Sequence, residues 1–408
     1  MLSWTRQFNI FCFLDNCNYG FFPREYECLL GAGSTRSITT NKLTELDQFL
    51  RPGQWSFGHL SYELKNTIHN FPFAKEDRIG FPTCFFFEPQ FLLLLKLNEL
   101  VIHTTDPDAV FEELMTTVEF QSSASSVSVT PRLSKEAYLA RVEEIQKHIL
   151  LGDCYEVNFC TEFFSEQAVI DPFLLYRELI AASPNPYAAF YRVNDQFLLC
   201  ASPERFLQKT GENIISQPMK GTIRREPGDT AKDELLKEEL RHSAKDQAEN
   251  VMVVDLVRND LTKICRNPTV KVDELFGVYS YPRVHQMIST ISGQLREDTS
   301  FGNIIEATFP MGSMTGAPKR RVMELIDEYE PVARGIFSGT VGYIDPAGDF
   351  DLNVVIRSLM YNASSKYLSY QVGSGITFYS NPHCEWEECL LKAEAIKKVL
   401  TAGPAPIE

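Results

Sequence analysis

The sequence predicts an α+β fold, because strand-like and helix-like segments follow one another without a regular βαβ rhythm. Residues 1–120 are rich in aromatic and turn residues and are predicted to form mainly short strands. Near the other end, residues 337–344, 352–361 and 367–378 form three consecutive strand candidates joined by short polar turns. Such short connections favour antiparallel pairing, so we expect antiparallel rather than parallel sheets.

A serine-rich stretch at residues 121–131, which ends at Pro131, has the composition of a connector. It separates an N-terminal segment, residues 1–120, from residues 132–401, where the longer helix and strand candidates lie. We expect both parts to pack into one fold, followed by a C-terminal tail at residues 402–408.

Four helices are predicted after the connector. The first covers residues 134–151, with Ser134 as its N-cap and Gly152 as its stop. The others are predicted at residues 233–260, 317–329 and 385–400. The remaining strand candidates of this region lie at residues 154–164, 187–191, 197–200, 270–276 and 285–295.

Charge and cysteine content argue against several classes of protein. A net charge of −15 disfavours nucleic acid and anionic membranes as partners, because most of such a surface repels a polyanion. No apolar run is long enough to span a bilayer, and the first residues, Met-Leu-Ser-Trp-Thr-Arg, lack the profile of a signal peptide. Ten cysteines at scattered spacings, without a C-x-x-C pair, suit reduced thiols, so a cytoplasmic location is predicted.

The block Gly-Ser-Met-Thr-Gly-Ala-Pro-Lys at residues 312–319 is a candidate anion site. Pro318 suits the first position of a helix, and a helix start presents free N–H groups and the positive end of the helix dipole. Such an end can hold a carboxylate or a phosphate. The alternative is an ordinary turn with a helix cap, which the motif alone does not exclude.

Two cationic residues occupy positions that suit chemistry. Lys220 lies beside Gly221 after a strand-like segment and is a candidate amine nucleophile, provided that partial burial lowers its pKa. The alternative for Lys220 is a solvated surface lysine. Arg357 interrupts an apolar strand, where a guanidinium needs an anion, and a bound carboxylate or an ion pair at a sheet edge would serve equally well.

Two glutamates on predicted helices could bind a metal together. Glu249 lies where the helix at 233–260 becomes apolar, and a charge on an apolar face needs a partner or a metal ion. Glu388 lies on the helix at 385–400. Carboxylates from two helices, with water and a substrate carboxylate, suit Mg²⁺. For Glu388 the alternative is an i,i+4 ion pair with Lys392.

Two further features have both a structural and a functional interpretation. Gly373, Ser374 and Gly375 interrupt the last predicted strand, which indicates either close backbone approach by a ligand or a bulge. His285 lies between a Tyr-Pro-Arg turn and an apolar strand, where a lone histidine is more often structural than catalytic.

These blocks occur in one order along the chain, and together they resemble the chorismate-utilising enzymes. That family includes anthranilate, aminodeoxychorismate, isochorismate and salicylate synthases. The resemblance is dense from about residue 134 to residue 401, and its most specific blocks are Arg-Asn-Asp at 258–260 and Gly-Ala-Pro-Lys at 316–319. The other matching blocks are Ser-Pro-Glu-Arg-Phe at 202–206, Lys-Gly-Thr at 220–222, Ala-Glu-Asn at 248–250, His285, Arg357, residues 373–375 and residues 388–392.

The resemblance implies a two-layer sandwich of antiparallel sheets flanked by helices, with chorismate and Mg²⁺ between them. Glu249 and Glu388 would hold Mg²⁺, which grips the ring carboxylate, and Glu204 would be general acid and base at the leaving hydroxyl. The remaining implied site residues are Gly316 and Ala317 at the ring carboxylate, Arg357, Tyr343, Gly373, Ser374 and Gly375 around the enolpyruvyl carboxylate, and catalytic His285 with Thr315 lining the pocket.

Two positions bear on the branch of the family. Lys220 stands where anthranilate and isochorismate synthases have alanine and where the aminodeoxychorismate branch typically has lysine. The resemblance therefore implies amination of chorismate at carbon 4 through a covalent Lys220 intermediate. Glu156 stands where isochorismate and salicylate synthases place a lysine general base, so hydration is disfavoured. The aminodeoxychorismate branch mostly carries glutamine there, so Glu156 is a departure that leaves the steering of ammonia open.

The resemblance also implies a partner and a pathway. No cysteine lies in the Gly-x-Cys-x-Gly setting of a glutaminase, so we expect ammonia from a separate glutamine amidotransferase subunit or from solution. The product would serve p-aminobenzoate and folate synthesis. Residues 13–16 are Phe-Leu-Asp-Asn, not the Leu-Leu-Glu-Ser of tryptophan feedback in anthranilate synthases, which argues against tryptophan regulation.

Two other functions stay open on the sequence alone. One is that of anthranilate synthase component I, which aminates chorismate at carbon 2. The other is a non-catalytic chorismate-binding subunit, which is disfavoured because the acid, the nucleophile and both metal carboxylates are present together.

Overall fold

The structure, a computed structural model, describes residues 1–20, 26–72, 75–117 and 126–401. Within these residues, 21 strands form two antiparallel sheets, and 11 α-helices accompany them. The predicted α+β sandwich of antiparallel sheets is confirmed. Residues 121–125 of the predicted connector and the predicted tail at 402–408 lie outside the described residues.

The first sheet has eleven strands. In spatial order they are β17 (Gly316–Ala317), β9 (Glu156–Ser165), β21 (Tyr367–Ile376), β20 (Ser358–Asn362), β11 (Gln196–Ser202), β10 (Tyr187–Val193), β1 (Ile10–Asp15), β2 (Cys28–Ala32), β6 (Phe91–Lys96) and β7 (Glu99–His103), with β8 (Thr130–Pro131) also paired to β9.

The second sheet has ten strands. In spatial order they are β14 (Met219–Arg224), β16 (Val284–Gln294), β13 (Asn213–Gln217), β12 (Arg205–Thr210), β19 (Phe350–Asn353), β18 (Thr340–Ile344), β4 (Ser56–Leu60), β5 (Cys84–Glu88) and β3 (Arg36–Thr39), with β15 (Lys271–Ser280) also paired to β16. Strands from the first 120 residues therefore occur in both sheets.

The helices of the described residues are numbered along the chain. They are α1 (Leu43–Phe49), α2 (Leu64–His69), α3 (Pro107–Thr116), α4 (Lys135–Leu150), α5 (Pro172–Ala182), α6 (Thr230–His242), α7 (Ala244–Thr262), α8 (Phe301–Thr308), α9 (Lys319–Tyr329), α10 (Pro382–Lys392) and α11 (Glu394–Thr401). Within the described ranges, none of them combines the length and the apolar character needed to cross a membrane.

The first sheet is apolar on both faces. On β11, Leu198 and Cys200 face a core shared by the two sheets, whereas Phe197 and Leu199 face a second core. Helices α4, α5, α9, α10 and α11 close this second core. Because successive side chains of a strand point to opposite faces, a strand buried on both sides is apolar at almost every position.

Three predicted elements are divided in the structure. Residues 233–260 lie in α6 and α7, because Ser243 has an extended backbone and caps α7 by accepting a hydrogen bond from the Asp246 N–H at 3.3 Å. Residues 352–361 form parts of β19 and β20, which belong to different sheets. Residues 385–400 lie in α10 and α11, with Ala393 between them.

The helix predicted at 317–329 begins instead at Lys319. Pro318 is its N-cap, and Gly316 and Ala317 form the edge strand β17. The helix predicted at 134–151 is confirmed by α4, because the Ser134 hydroxyl accepts a hydrogen bond from the Ala137 N–H at 3.2 Å.

Candidate active site

Lys220 and Glu156 are in contact where an edge of the first sheet lies next to an edge of the second sheet. Lys220 lies on β14 at the edge of the second sheet, and Glu156 begins β9 of the first sheet. The Lys220 Nζ donates a hydrogen bond to Glu156 Oε1. Only 12% of the Lys220 side chain and 2% of the Glu156 side chain are exposed. The site is therefore built around a buried ion pair that links the two sheets.

This ion pair explains the glycines of β21. A Cβ on Gly375 would lie 2.3 Å from Glu156 Oε1 and 2.7 Å from Lys220 Nζ, and a Cβ on Gly373 would lie 2.4 Å from Cys160 Sγ. The pairing of β21 with β9 runs without a shift across these residues, so the strand has no bulge there. The glycines make room for close packing beside the ion pair.

The pKa of Lys220 depends on neighbouring carboxylates as well as on burial. Burial lowers its pKa, but the carboxylates of Glu156, Glu249 and Glu388 act against burial and together raise that pKa above the usual lysine value. The condition stated for a nucleophilic Lys220, a pKa lowered by partial burial, is therefore not met in this arrangement of charges. The amine is an ammonium group here, and it must lose a proton before it can act as a nucleophile.

Glu249 on α7 and Glu388 on α10 border the ion pair. Both carboxylates raise the pKa of Lys220 and also that of Lys245 on α7, so both lie within electrostatic range of the same two amines. Burial raises the pKa of Glu249 to about 7. Lys392, 2.7 Å from Glu388, lowers the pKa of Glu388, so the i,i+4 ion pair considered above is present.

The two carboxylates fit a magnesium ion. Glu249 Oε1 is buried and has no hydrogen-bond partner among the described residues, and Lys245 Nζ is 3.8 Å away. Burying such an oxygen is costly unless a cation binds it, and Mg²⁺ prefers oxygen ligands. In the described part of the chain no group of three or more His, Cys, Asp or Glu side chains could hold a metal, so water and substrate would supply the other ligands.

Glu204 lies in the turn between β11 and β12 and is buried. Burial raises its pKa to about 7, while the Ser313 hydroxyl and Lys220 act in the opposite direction. The next residue, Arg205, binds Asp351 through two hydrogen bonds of 3.0 Å and so fixes this turn against β19. A carboxyl group that titrates near neutrality can give up a proton and take it back.

Arg357 lies in the segment that crosses from β19 of one sheet to β20 of the other, with a left-handed backbone (φ 53°). Burial lowers its pKa, and Glu388 and Tyr281 act against that change. Its guanidinium makes no hydrogen bond or ion pair within the described residues. A half-buried guanidinium without an ion-pair partner suits an anion better than a structural role at a sheet edge.

The block at residues 312–319 packs against the ion pair as an edge strand. Gly316 has φ 139°, and a Cβ there would lie 2.0 Å from the carbonyl oxygen of Glu156. The Thr315 hydroxyl donates to the Met311 carbonyl at 3.1 Å, so it is satisfied inside its own loop. The prediction that the helix begins at Ala317 is wrong, because Gly316 and Ala317 pair with β9 and the helix begins at Lys319.

Two predicted site residues have other surroundings. His285 is buried between the Ser280 hydroxyl at 2.9 Å and Asp233 of α6 at 3.2 Å. Tyr343 lies on β18, and its ring packs against three aromatic rings at centroid distances of 5.6, 5.7 and 6.3 Å: those of Tyr26, Trp55 and Phe57. It also lies within electrostatic range of Arg205, the residue after Glu204. Its expected contact with the enolpyruvyl carboxylate stays a prediction.

Ser374 points away from the ion pair. Its hydroxyl lies 3.3 Å from the Tyr138 hydroxyl of α4, in the second core. It therefore helps to anchor β21 to α4 rather than extending the charged group.

Sequence reasoning missed two structural features of the site. The first is the contact of Glu156 with Lys220, for which the unusual carboxylate at position 156 is a usable signal. The second is Arg334, which pairs with Glu330 at 2.6 Å and donates to the carbonyls of Met314 and Asn158. Arg334 ties the glycine block to β9, and no local pattern marks it.

Comparisons with known proteins agree on one family. Residues 25–398 match the family model described as chorismate binding enzyme. A Synechocystis sp. protein described as anthranilate synthase component I-like is 34% identical over 85% of this chain and 73% of its own length. Aminodeoxychorismate synthase component 1 of Bacillus subtilis is 31% identical over 85% of this chain and 76% of its own length.

Two further matches extend this picture. Chloroplastic aminodeoxychorismate synthase of Arabidopsis thaliana is 42% identical over 67% of this chain, which spans only 30% of that longer protein. The crystal structure of anthranilate synthase component I from Streptococcus pneumoniae TIGR4 matches with a TM-score of 0.82, at 24% identity over 94% of both chains. The last similarity shows a common fold.

Proposed function

Because this chain belongs to the family of chorismate-binding enzymes, we propose that it replaces the carbon-4 hydroxyl of chorismate by an amino group. The product, 4-amino-4-deoxychorismate, serves p-aminobenzoate and folate synthesis in the cytoplasm. The relatives named aminodeoxychorismate synthase support this reaction. The observation that carries it is the buried Lys220 amine, flanked by Glu156, Glu249 and Glu388.

In the proposed first step, the neutral Lys220 Nζ forms a bond to carbon 2 of the ring. Both ring double bonds shift, the bond from carbon 4 to its oxygen breaks, and Glu204 donates a proton so that the hydroxyl leaves as water. The pKa of Glu204, near 7, suits this donation. Lys220 is then covalently bound to the ring.

In the proposed second step, ammonia forms a bond to carbon 4, both ring double bonds shift back, and the bond from carbon 2 to Nζ breaks. Glu204 takes a proton from the newly attached nitrogen, which restores its starting state. Covalent catalysis of this kind divides one difficult displacement into two easier ones.

The charged groups around Lys220 suit the two carboxylates of chorismate. Glu249 and Glu388 would hold Mg²⁺, which when bound supplies positive charge for the ring carboxylate. The Arg357 guanidinium would bind the enolpyruvyl carboxylate, with backbone groups near Gly373 and Gly375. The role of His285 stays a prediction.

We also propose that the ammonia comes from a separate glutamine amidotransferase subunit. The designation component 1 of the Bacillus subtilis relative supports the existence of a second component.

The second candidate function is that of anthranilate synthase component I, which aminates carbon 2. The names of the Synechocystis relative and of the Streptococcus pneumoniae structure favour it. Lys220 disfavours it, because a lysine directed at carbon 2 would occupy the carbon that must receive ammonia.

Product identification tests the proposal. The purified protein is incubated with chorismate, Mg²⁺ and ammonium, and products are separated and weighed by chromatography and mass spectrometry. We expect 4-amino-4-deoxychorismate, and we expect Lys220→Ala to reduce its formation by about 10³-fold or more. The control is Lys147→Ala, which removes an exposed lysine of α4 paired with Glu144.

Other outcomes would contradict the proposal. Anthranilate as the main product, or full activity of Lys220→Ala, would favour amination at carbon 2. Binding of chorismate without any product would favour a non-catalytic subunit.

A further inference from the structure

We infer that Glu156 is a catalytic residue that takes the proton from the Lys220 ammonium group before the amine attacks chorismate. The inference rests on the proposed function and deepens it, because it assigns the proton acceptor of the nucleophile. An acceptor is needed because a lysine with an ordinary pKa is an ammonium group near neutral pH, and Lys220 Nζ donates a hydrogen bond to Glu156 Oε1.

Contact geometry selects Glu156 among these carboxylates. Within the described residues, Glu156 is the only residue whose side chain accepts a hydrogen bond from Lys220 Nζ. Glu249 and Glu388 act on the ammonium through their charge, and no hydrogen bond of the described part of the chain joins either of them to Nζ. Proton transfer requires hydrogen-bond contact, so the proton has one direct acceptor.

The backbone fixes this acceptor in place. Glu156 begins β9, which pairs with β17 on one side and with β21 on the other. A Cβ on Gly375 would collide with both Glu156 Oε1 and Lys220 Nζ, so the two groups fill the space above that glycine. A buried carboxylate held in this way is part of the site rather than a surface partner of the lysine.

The proposed transfer balances in protons and charge. An N–H bond of Lys220 breaks, an O–H bond forms on Glu156, and no proton leaves the site. When the bond from carbon 2 to Nζ later breaks, Nζ takes the proton back from Glu156. The glutamine that the family resemblance leads one to expect at this position has an amide that cannot accept a proton, so its lysine would have to deprotonate to solvent.

Other charged groups face this pair from neighbouring elements and influence the transfer. They are Lys245, Asp246 and Glu249 of α7, Glu388 and Lys392 of α10, and Glu204 of the turn before β12. The test therefore keeps these groups unchanged and uses one saturating concentration of Mg²⁺. At each pH, the rate of adduct formation by a variant is divided by the rate of the unmodified protein, and this quotient is called the rate ratio.

The experiment measures formation of the Lys220 adduct in single turnover without ammonia, which would itself titrate. Quenched samples are analysed by intact-protein mass spectrometry. The adduct increases the mass of the protein by that of chorismate less one water. The rate is measured from about pH 6 to pH 9 for the unmodified protein, Glu156→Gln and Glu156→Asp. The control is Glu144→Gln, which removes an exposed carboxylate from another lysine contact.

The expected result is a pH-dependent ratio. At pH 6 the rate of Glu156→Gln should be lower than that of the unmodified protein by about 10²-fold or more, because the base is missing. The ratio should rise about tenfold per pH unit while Lys220 titrates, because only the neutral fraction of a lysine reacts. Glu204 titrates in both proteins, so its effect cancels. Glu156→Asp keeps a carboxylate and should give a flat ratio below one.

A flat ratio for Glu156→Gln, whatever its value, overturns the inference, because a merely structural role would lower the rate equally at every pH. A rising ratio for Glu156→Asp also overturns it, and this holds even if Glu156→Gln fails to fold. If the unmodified protein makes 4-amino-4-deoxychorismate through Lys220 while the ratio is flat, only the inference fails. If it forms neither adduct nor product, the proposed function fails and the inference with it.

Discussion

At the scale of single residues, the site places one buried amine among several carboxylates. Removing an ammonium from water costs several kcal/mol, and this cost is offset only where opposite charges lie close by. Glu156, Glu249 and Glu388 supply those charges, which is why the pKa of Lys220 is raised. Sequence reasoning considered only the effect of burial on this pKa, because these carboxylates come from β9, α7 and α10, and their meeting with Lys220 is a property of the fold.

The elevated pKa of Glu204 predicts a change of stability with pH. Its pKa rises from 4.5 to about 7 on folding, because the charged form is disfavoured by burial. A carboxyl with a raised folded pKa contributes stability that is fully present below about pH 4.5 and is lost as pH rises through about 7. Glu204→Gln removes the ionisable group. Its free energy of unfolding, relative to that of the unmodified protein, should therefore increase by up to about 3 kcal/mol between pH 4.5 and pH 8.

The measurement is the free energy of unfolding in denaturant at both pH values. The control Glu144→Gln changes an exposed carboxylate of α4 and should show no comparable gain. A difference between Glu204→Gln and the unmodified protein that is the same at pH 4.5 and pH 8 would contradict burial of an ionising Glu204.

At the scale of secondary-structure elements, the sequence located part of the helices and strands, gave no range for α5 or α8, and joined some elements that the fold divides. Ser243 suits the interior of a polar helix by composition, yet it caps α7 and so turns that helix to carry Glu249 toward Lys220. Arg357 stands in an unbroken apolar run, yet the run changes sheets just before it. Hydrophobic periodicity indicates which residues are buried, but it does not indicate to which sheet these residues belong.

The sequence shows that Gly373 and Gly375 interrupt a strand, but only the structure shows why glycine is needed there. We predict that Gly375→Ala lowers product formation by about 10²-fold, because a displacement of about 1 Å in the reacting groups costs that much. Its Cβ would lie within 2.7 Å of both Lys220 Nζ and Glu156 Oε1, so one or both must move. The measurement is the rate of 4-amino-4-deoxychorismate formation at saturating chorismate.

Gly228→Ala is the matched control, since a Cβ there meets no atom within 4 Å. It should keep full activity. Gly375→Ala with the activity of the unmodified protein would show that the contact at Gly375 does not position the reacting groups.

At the scale of the whole molecule, the site exists because two sheets meet at their edges. β14 of the second sheet supplies Lys220, β9 of the first supplies Glu156, and the crossing from β19 to β20 supplies Arg357. The α+β class and the antiparallel pairing follow from short connections and strand patterns. The family resemblance implied that Lys220 and Arg357 belong to one site, but not that Glu156 contacts Lys220, because local physical chemistry does not specify which sheet edges meet.

The same limit explains a helix boundary that sequence reasoning placed wrongly. The helix predicted at 317–329 begins at Lys319, because Gly316 and Ala317 pair with β9 as a short strand. Here pairing between distant strands overrides a local signal.

Peptide mapping after incubation with chorismate and Mg²⁺, without ammonia, tests the central claim most directly. The account predicts one modified peptide, with the mass of chorismate less one water on the side chain of Lys220, and its disappearance when ammonium is added together with release of 4-amino-4-deoxychorismate. Two results together would contradict the account. Lys220→Ala would form the aminated product at an undiminished rate, and the unmodified protein would show no modified peptide at any quench time.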